Sequence, residues 1–200
     1  RLFSEVPDLA GVFTITMSEN HTNCYSHTFA GNKPDCPICS KRSQAEVIAE
    51  VNNLIAEGAH SIKPDARVIA WTWGWHPQWS DEAISLLNDN VMVMCTSEEA
   101  MPTNISGVKG EVIDYTMSIP GPGERAVRNW RKAAALGHKT VAKVQFNNTW
   151  ECSAVPYLPV MDLVEKHINN LSNSGVNGLM LSWTLGGYPS LNLEFASQLY

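Results

Sequence analysis

The chain has 200 residues, a formal net charge of −6 and a sequence pI near 5.5. At 44% hydrophobic and 17% charged residues it groups with globular chains, because disordered ones combine low hydrophobicity with high charge. No apolar run approaches the ~20 residues that cross a bilayer, and an acidic balance with no Lys/Arg block argues against nucleic acid as the main partner.

The pattern predicts alternating elements. Gly11 to Met17 is β-branched and aromatic, as a strand requires. Ser43 to His60 places Val47, Ile48, Val51, Leu54 and Ile55 at helical spacing, and Ser43 with Glu46 forms a capping box. Arg67 to Thr72 is the next strand, Asp81 to Asn88 a short helix and Val91 to Cys95 a short apolar strand. Glu111 to Tyr115 is a further strand candidate. A helix runs from Glu124 to Leu136, with Val127, Trp130 and Ala134 on one face and Gly137 as its stop. Thr140 to Phe146 is a strand, Leu158 to Leu171 a helix and Val176 to Trp183 the last strand; Phe195 to Tyr200 reads as a helix cut short.

Strands alternating with helices imply βα units and a parallel sheet, and near-continuous apolar strands imply burial on both faces. Long loops rich in Trp, Glu, Asn and Cys follow several strands, which is the habit of a TIM barrel. A doubly wound sheet is the alternative, but no Gly-rich phosphate loop follows any strand. The expected fold is therefore α/β: a partial TIM (β/α) barrel of roughly the last five βα units. It reads as one fragment spanning 1–200, with a Cys/His-rich loop at 18–42 and an opening Arg1-Leu2-Phe3 that lacks Met. The remaining N-terminal part of the barrel is then an expected partner.

The loop after the first strand carries two signals. Glu19 sits where a barrel presents a carboxylate into its mouth, and burial can raise such a group's pKa until it protonates a leaving group. Cys24-x2-His27 and Cys36-x2-Cys39 then offer three thiols and an imidazole at zinc-knuckle spacing, with His21 competing for the place of His27. The readings open are a structural zinc, a Cys36–Cys39 redox pair and free thiols. Catalysis of the kind argued below requires no cofactor.

Trp71, Trp73, Trp75 and Trp79 follow the second strand. Gly74 and Pro77 break any regular element there, so Trp73 and Trp75 become candidates to stack on sugar rings, whereas Trp71 and Trp130 suit packing. Asn147-Asn148-Thr149-Trp150-Glu151 repeats the layout after its strand, Trp183 closes the last one, and Glu98 and Glu99 follow Val91 to Cys95. Carboxylates, amides and aromatics at successive strand ends form the constellation of a carbohydrate site, and two carboxylates are its catalytic requirement. Glu19 and Glu151 are the expected catalytic pair, with Glu98 or Glu99 in reserve. Asn20, Trp73, Trp75, Glu98, Asn148, Trp150 and Trp183 are the expected substrate contacts. His60, His138 and His167 read as surface or packing residues. Neither a nucleophile elbow nor a His-Glu-x-x-His helix occurs.

These residues resemble the TIM-barrel glycoside hydrolases, most nearly the family 20 (β-N-acetylhexosaminidase-like) barrels and their uncharacterised bacterial relatives. Phe13-Thr14-Ile15-Thr16-Met17-Ser18-Glu19-Asn20 is similar to that family's strand followed by an Asp-Glu pair, Ile69-Ala70-Trp71 to its next strand, and Trp183 to the Trp that floors its sugar pocket. The Cys24…Cys36-Pro37-Ile38-Cys39 loop and Asn148-Thr149-Trp150-Glu151 resemble the bacterial relatives rather than the hexosaminidases proper. The resemblance implies Glu19 as general acid. Ser18 stands where the family's Asp orients the acetamido group, and a Ser supplies no such charge, so another glycoside is as good a candidate.

The expected function is hydrolysis of a glycosidic bond, with Glu19 as acid and Glu151 as second carboxylate or substrate anchor. The alternatives are a non-catalytic carbohydrate-binding barrel and a zinc or redox protein built on the 24–39 loop. Five cysteines exclude complete pairing within the chain, and Asn20, Asn104, Asn147 and Asn170 each open an Asn-x-Ser/Thr triplet. Free thiols argue for the bacterial cytoplasm and polysaccharide hydrolysis for the periplasm or secretion, so location stays open.

Overall fold

The computed structural model describes residues 1–18, 20–28, 32–148, 154–155, 157–183 and 186–200. The elements run α1 (Leu2–Glu5), β1 (Gly11–Ile15), α2 (Gln44–His60), β2 (Arg67–Trp71), α3 (Ser80–Ser85), β3 (Val91–Thr96), β4 (Met101–Ile105), β5 (Val108–Val112), α4 (Glu124–Ala135), β6 (Thr140–Val144), α5 (Met161–Ser174), β7 (Gly178–Leu181) and α6 (Leu191–Leu199). The fold is α/β, with parallel pairing of β1 to β2, β2 to β3 and β6 to β7 in the strand order β1-β2-β3-β6-β7. No helix among the described residues is long and apolar enough to cross a membrane.

The chain divides into two compact units, Arg1–Met94 with Asn129–Thr140, and Cys95–Arg128 with Val141–Tyr200. In the first, β1 aligns Gly11 with Arg67 and Ile15 with Trp71, and β2 aligns Val68 with Val91. The capping box at Ser43 forms as expected: its hydroxyl accepts from the Glu46 N–H at 3.1 Å, and its own N–H donates to the Glu46 carboxylate at 2.7 Å. The buried side of α2 differs from the expected stripe. Ala45, Ile48, Ala49, Asn52, Ala56 and Ala59 are buried, while Leu54 and Ile55 are exposed. Asn52 is held in the interior by donating to the Ile48 carbonyl and accepting the Thr14 hydroxyl, so the buried polar group is satisfied.

In the second unit, the Ser97 N–H donates to the Lys143 carbonyl at 2.9 Å, which sets the residue after β3 beside β6. The strand expected at 111–115 lies earlier, as one arm of an antiparallel ribbon pairing Met101 with Val112 and Ile105 with Val108. Ser106 at φ 53° and Gly107 at φ 86° make its two-residue turn, because a tight hairpin needs positive φ at both central positions. α5 begins three residues later than expected and stops at Gly175, whose φ of 71° provides a left-handed cap. It buries Val164, His167, Ile168 and Leu171, a helical i, i+3, i+4, i+7 stripe.

Candidate functional site

In the first unit the ends of β1 and β2 are tied by polar bonds. The Trp75 indole N–H donates to the Thr16 hydroxyl at 3.2 Å. The Thr16 carbonyl accepts from Asn23 Nδ2 at 2.7 Å and from the Thr22 hydroxyl at 3.1 Å. Trp75 and Trp71 are buried, as is Trp79; Trp73 is half-buried and stacks on Trp71 with ring centroids 5.3 Å apart. Of the two indoles expected at a sugar, only Trp73 therefore offers a surface, whereas Trp75 is a packing residue with its N–H satisfied. Gly74 at φ 75° carries the turn between them, where a Cβ would lie 2.5 Å from the Met17 carbonyl. Met17, Ser18, His27, Gln44, Gly74 and His76 line a cavity of about 360 Å³ beside this turn. Asn20 is exposed, and Glu19 lies outside the described residues.

Cys24, Cys36 and Cys39 come together in the same unit, their sulfurs all within 4.8 Å of one another, so this group could hold a metal ion. The expected fourth ligand, His27, is not in the group, and neither is His21. Their rings lie against each other with centroids 4.3 Å apart, and His27 lines the cavity instead. Tyr25 ties the two arms of this loop together. It is buried, and its hydroxyl donates to the Arg42 carbonyl at 2.7 Å and approaches that of Cys39 at 3.3 Å. The Cys39 and Ile38 N–H groups donate to the Cys36 sulfur and, with a hydrogen bond from Cys24, bring its pKa down to about 7. Hydrogen bonding to Cys24, then burial, pushes Cys39 up to about 11.

In the second unit the strand ends place a polar cluster. Glu98 is fully buried, with Oε1 3.0 Å from Nε2 of His167. Ser97 Oγ lies 2.8 Å from that same nitrogen. Among the described residues neither Glu98 oxygen has a hydrogen-bond partner, so the approach to His167 is close but not aligned as a hydrogen bond. Glu99 is paired with Arg125 at 2.8 Å. Its pKa nonetheless rises to about 7, because burial outweighs the Arg125 charge and Asp114 adds to the rise. Lys143 is fully buried in β6, its Nζ 4.7 Å from the Tyr115 ring centroid and 5.6 Å from that of Trp183, a cation between two aromatic faces.

The amides after β6 hold backbone. Asn147 donates to the Gly186 and Tyr188 carbonyls at 2.8 Å, and Asn148 donates to the Val155 carbonyl at 2.9 Å. Both are buried, so neither presents its amide to solvent, and Glu98 does not either. Trp183 is half-buried and keeps an exposed portion. Trp150 and Glu151 lie outside the described residues. Sequence reasoning read His167 as a surface or packing residue, and the structure buries it; Lys143 it did not single out. His167 sits on the apolar stripe of α5, and Lys143 is the one charge within Thr140-Val141-Ala142-Lys143-Val144. A cation inside an otherwise apolar strand is a signal the sequence does contain.

No protein-family model matches the chain, and no curated protein matches it either.

Proposed function

We propose that this chain is part of a (β/α) barrel that hydrolyses a glycosidic bond, with a carbohydrate as its substrate. The observation that carries the reading is the composition of the strand ends. Half-buried indoles follow β2 (Trp73) and β7 (Trp183), and carboxylates follow β3 (Glu98, Glu99), while the buried amides after β6 only hold backbone. Active sites of parallel barrels are built from such ends, and sugar sites combine flat aromatic faces with carboxylates. In this reading Glu19 protonates the leaving oxygen, and Glu151 is the second carboxylate or a substrate anchor. Trp73 and Trp183 give the sugar its apolar platforms. The buried groups Glu98, His167 and Lys143 set the field around the strand ends rather than touching substrate.

The barrel reading also assigns a partner to β1. Beside it, Phe3, Val12, Phe13, Val51 and Ile55 line a groove of about 520 Å³, which further βα units of the same barrel would cover. The metal in this reading is a zinc at the cysteine trio. It staples the 18–42 loop, which has little apolar core of its own, and takes no part in catalysis.

The test is a panel of aryl glycosides of graded leaving-group pKa, assayed with the protein and its Glu19→Gln variant. The expected result is turnover by the protein and a loss of about 10²-fold or more in the variant, steepest for poor leaving groups, since those depend most on the acid. Full rate in Glu19→Gln removes Glu19 from the role. Glycan binding with zero hydrolysis by the protein replaces the reading with a non-catalytic one.

A further inference from the structure

The cysteine trio has a feature that a closed zinc knuckle lacks. Among the described residues, the three sulfurs fall within 4.8 Å of one another and no histidine or carboxylate joins the group. The two histidines at knuckle spacing are turned onto each other, and one of them faces a cavity. Hydrogen bonds of the surrounding chain also hold the loop that carries the trio. Tyr25, next to Cys24, reaches across to the carbonyls of Cys39 and Arg42 and so pins the two arms of the loop together. The Ser40 N–H donates to the Cys36 carbonyl at 2.9 Å, and the Arg42 N–H to that of Cys39 at 3.0 Å, which fixes the turn carrying both later sulfurs.

We infer that Cys24, Cys36 and Cys39 form a three-thiolate site for one soft divalent ion, zinc among the available metals, whose fourth position is open to an exchangeable ligand. This rests on the zinc reading above and deepens it. Three protein ligands leave tetrahedral zinc one position, and four close it. Sulfur donors select zinc and other soft ions over magnesium or calcium. On binding, three S–H bonds break and three metal–sulfur bonds form; the protons still on sulfur leave to solvent, no electron moves, and the ion keeps its charge. The fourth position takes water, or a small thiol or imidazole arriving from solution. Cys24 is exposed and Cys36 and Cys39 are partly so, which leaves the ion reachable.

The experiment uses the reduced, metal-free protein, refilled with Co²⁺ as a spectroscopic stand-in for zinc. The expected result is one ion per chain, sulfur-to-cobalt charge-transfer absorption whose intensity falls stepwise in Cys24→Ser, Cys36→Ser and Cys39→Ser, and visible bands that shift when free imidazole or a small thiol is added. His21→Ala and His27→Ala should bind within about threefold of the parent, while each Cys→Ser change should weaken binding by more than about tenfold. Far-ultraviolet circular dichroism on every variant confirms that the fold is kept. Failure of the folded, reduced protein to bind cobalt or zinc overturns both the zinc reading and the inference. Binding that is lost equally in a histidine variant and in the cysteine variants, with bands insensitive to added ligand, overturns the inference alone and leaves a closed zinc site.

Discussion

His167 Nε2 lies 3.0 Å from Glu98 Oε1, and both side chains are buried. α5 supplies the histidine and the end of β3 the carboxylate. Removing one member of such a buried polar cluster leaves the remaining groups without a polar neighbour, which costs about 1–3 kcal/mol.

His167→Ala should therefore lower stability by about 2–3 kcal/mol, through the lost ring packing and the lost bond to Ser97, and Glu98→Gln by less, because the side chain keeps its shape. The double variant should lose less than the sum of the two. Urea denaturation of the four proteins measures this, and additivity would show that the two groups do not interact.

Glu99 predicts a pH dependence of stability. Its folded pKa, about 7, stands above the ordinary glutamate value of 4.5. Between those values the folded state holds a proton that the unfolded state releases, so stability falls as pH rises through this window. The loss approaches about 3 kcal/mol once both states are ionised. Unfolding midpoints at pH 5 and pH 8 should differ more for the parent than for Glu99→Gln. Equal shifts in the two proteins would exclude Glu99 as the cause.

The two tryptophans flanking Gly74 separate packing from recognition. Trp75→Phe keeps a ring but loses the N–H bond to Thr16, and should cost about 1–2 kcal/mol of stability. Trp73→Ala loses one stacked contact with Trp71, worth about 0.5–1.5 kcal/mol. If a sugar binds there, Trp73→Ala should also weaken binding about tenfold, read by titration with the best glycan from an array. Unchanged affinity would place the sugar elsewhere.

Gly74→Ala should destabilise by at least about 1 kcal/mol, because φ is 75° and the new methyl meets the Met17 carbonyl at 2.5 Å. Thermal unfolding reads the change. A neutral result would mean that the turn relaxes away from Met17.

How far the sequence reaches differs between fold and site. The α2 start was legible, since Ser43 and Glu46 cap through bonds made within one turn. The alternation of strands and helices was legible for the same reason, because periodicity is a local property of the chain. The 101–112 ribbon was not. Pro102, Thr103 and Asn104 show no apolar alternation, and positive φ at Ser106 marks the turn only once the backbone is known.

The sequence by itself determined the α/β class, the cap and length of α2, and the cysteine spacing that allows a metal. Only tertiary structure decided which side chains have a free surface and which partners they meet. Trp75 and Trp73 look alike in sequence, yet one is buried against Thr16 and the other half-buried on Trp71. Glu98 and Glu99 are adjacent, yet one faces His167 and the other Arg125. His27 holds knuckle spacing to Cys24, yet the three sulfurs come together without it and its ring lies against His21. Spacing along a chain sets which groups can meet. Which of them do meet depends on contacts between residues far apart in sequence, and those form only when the sheet and its helices pack.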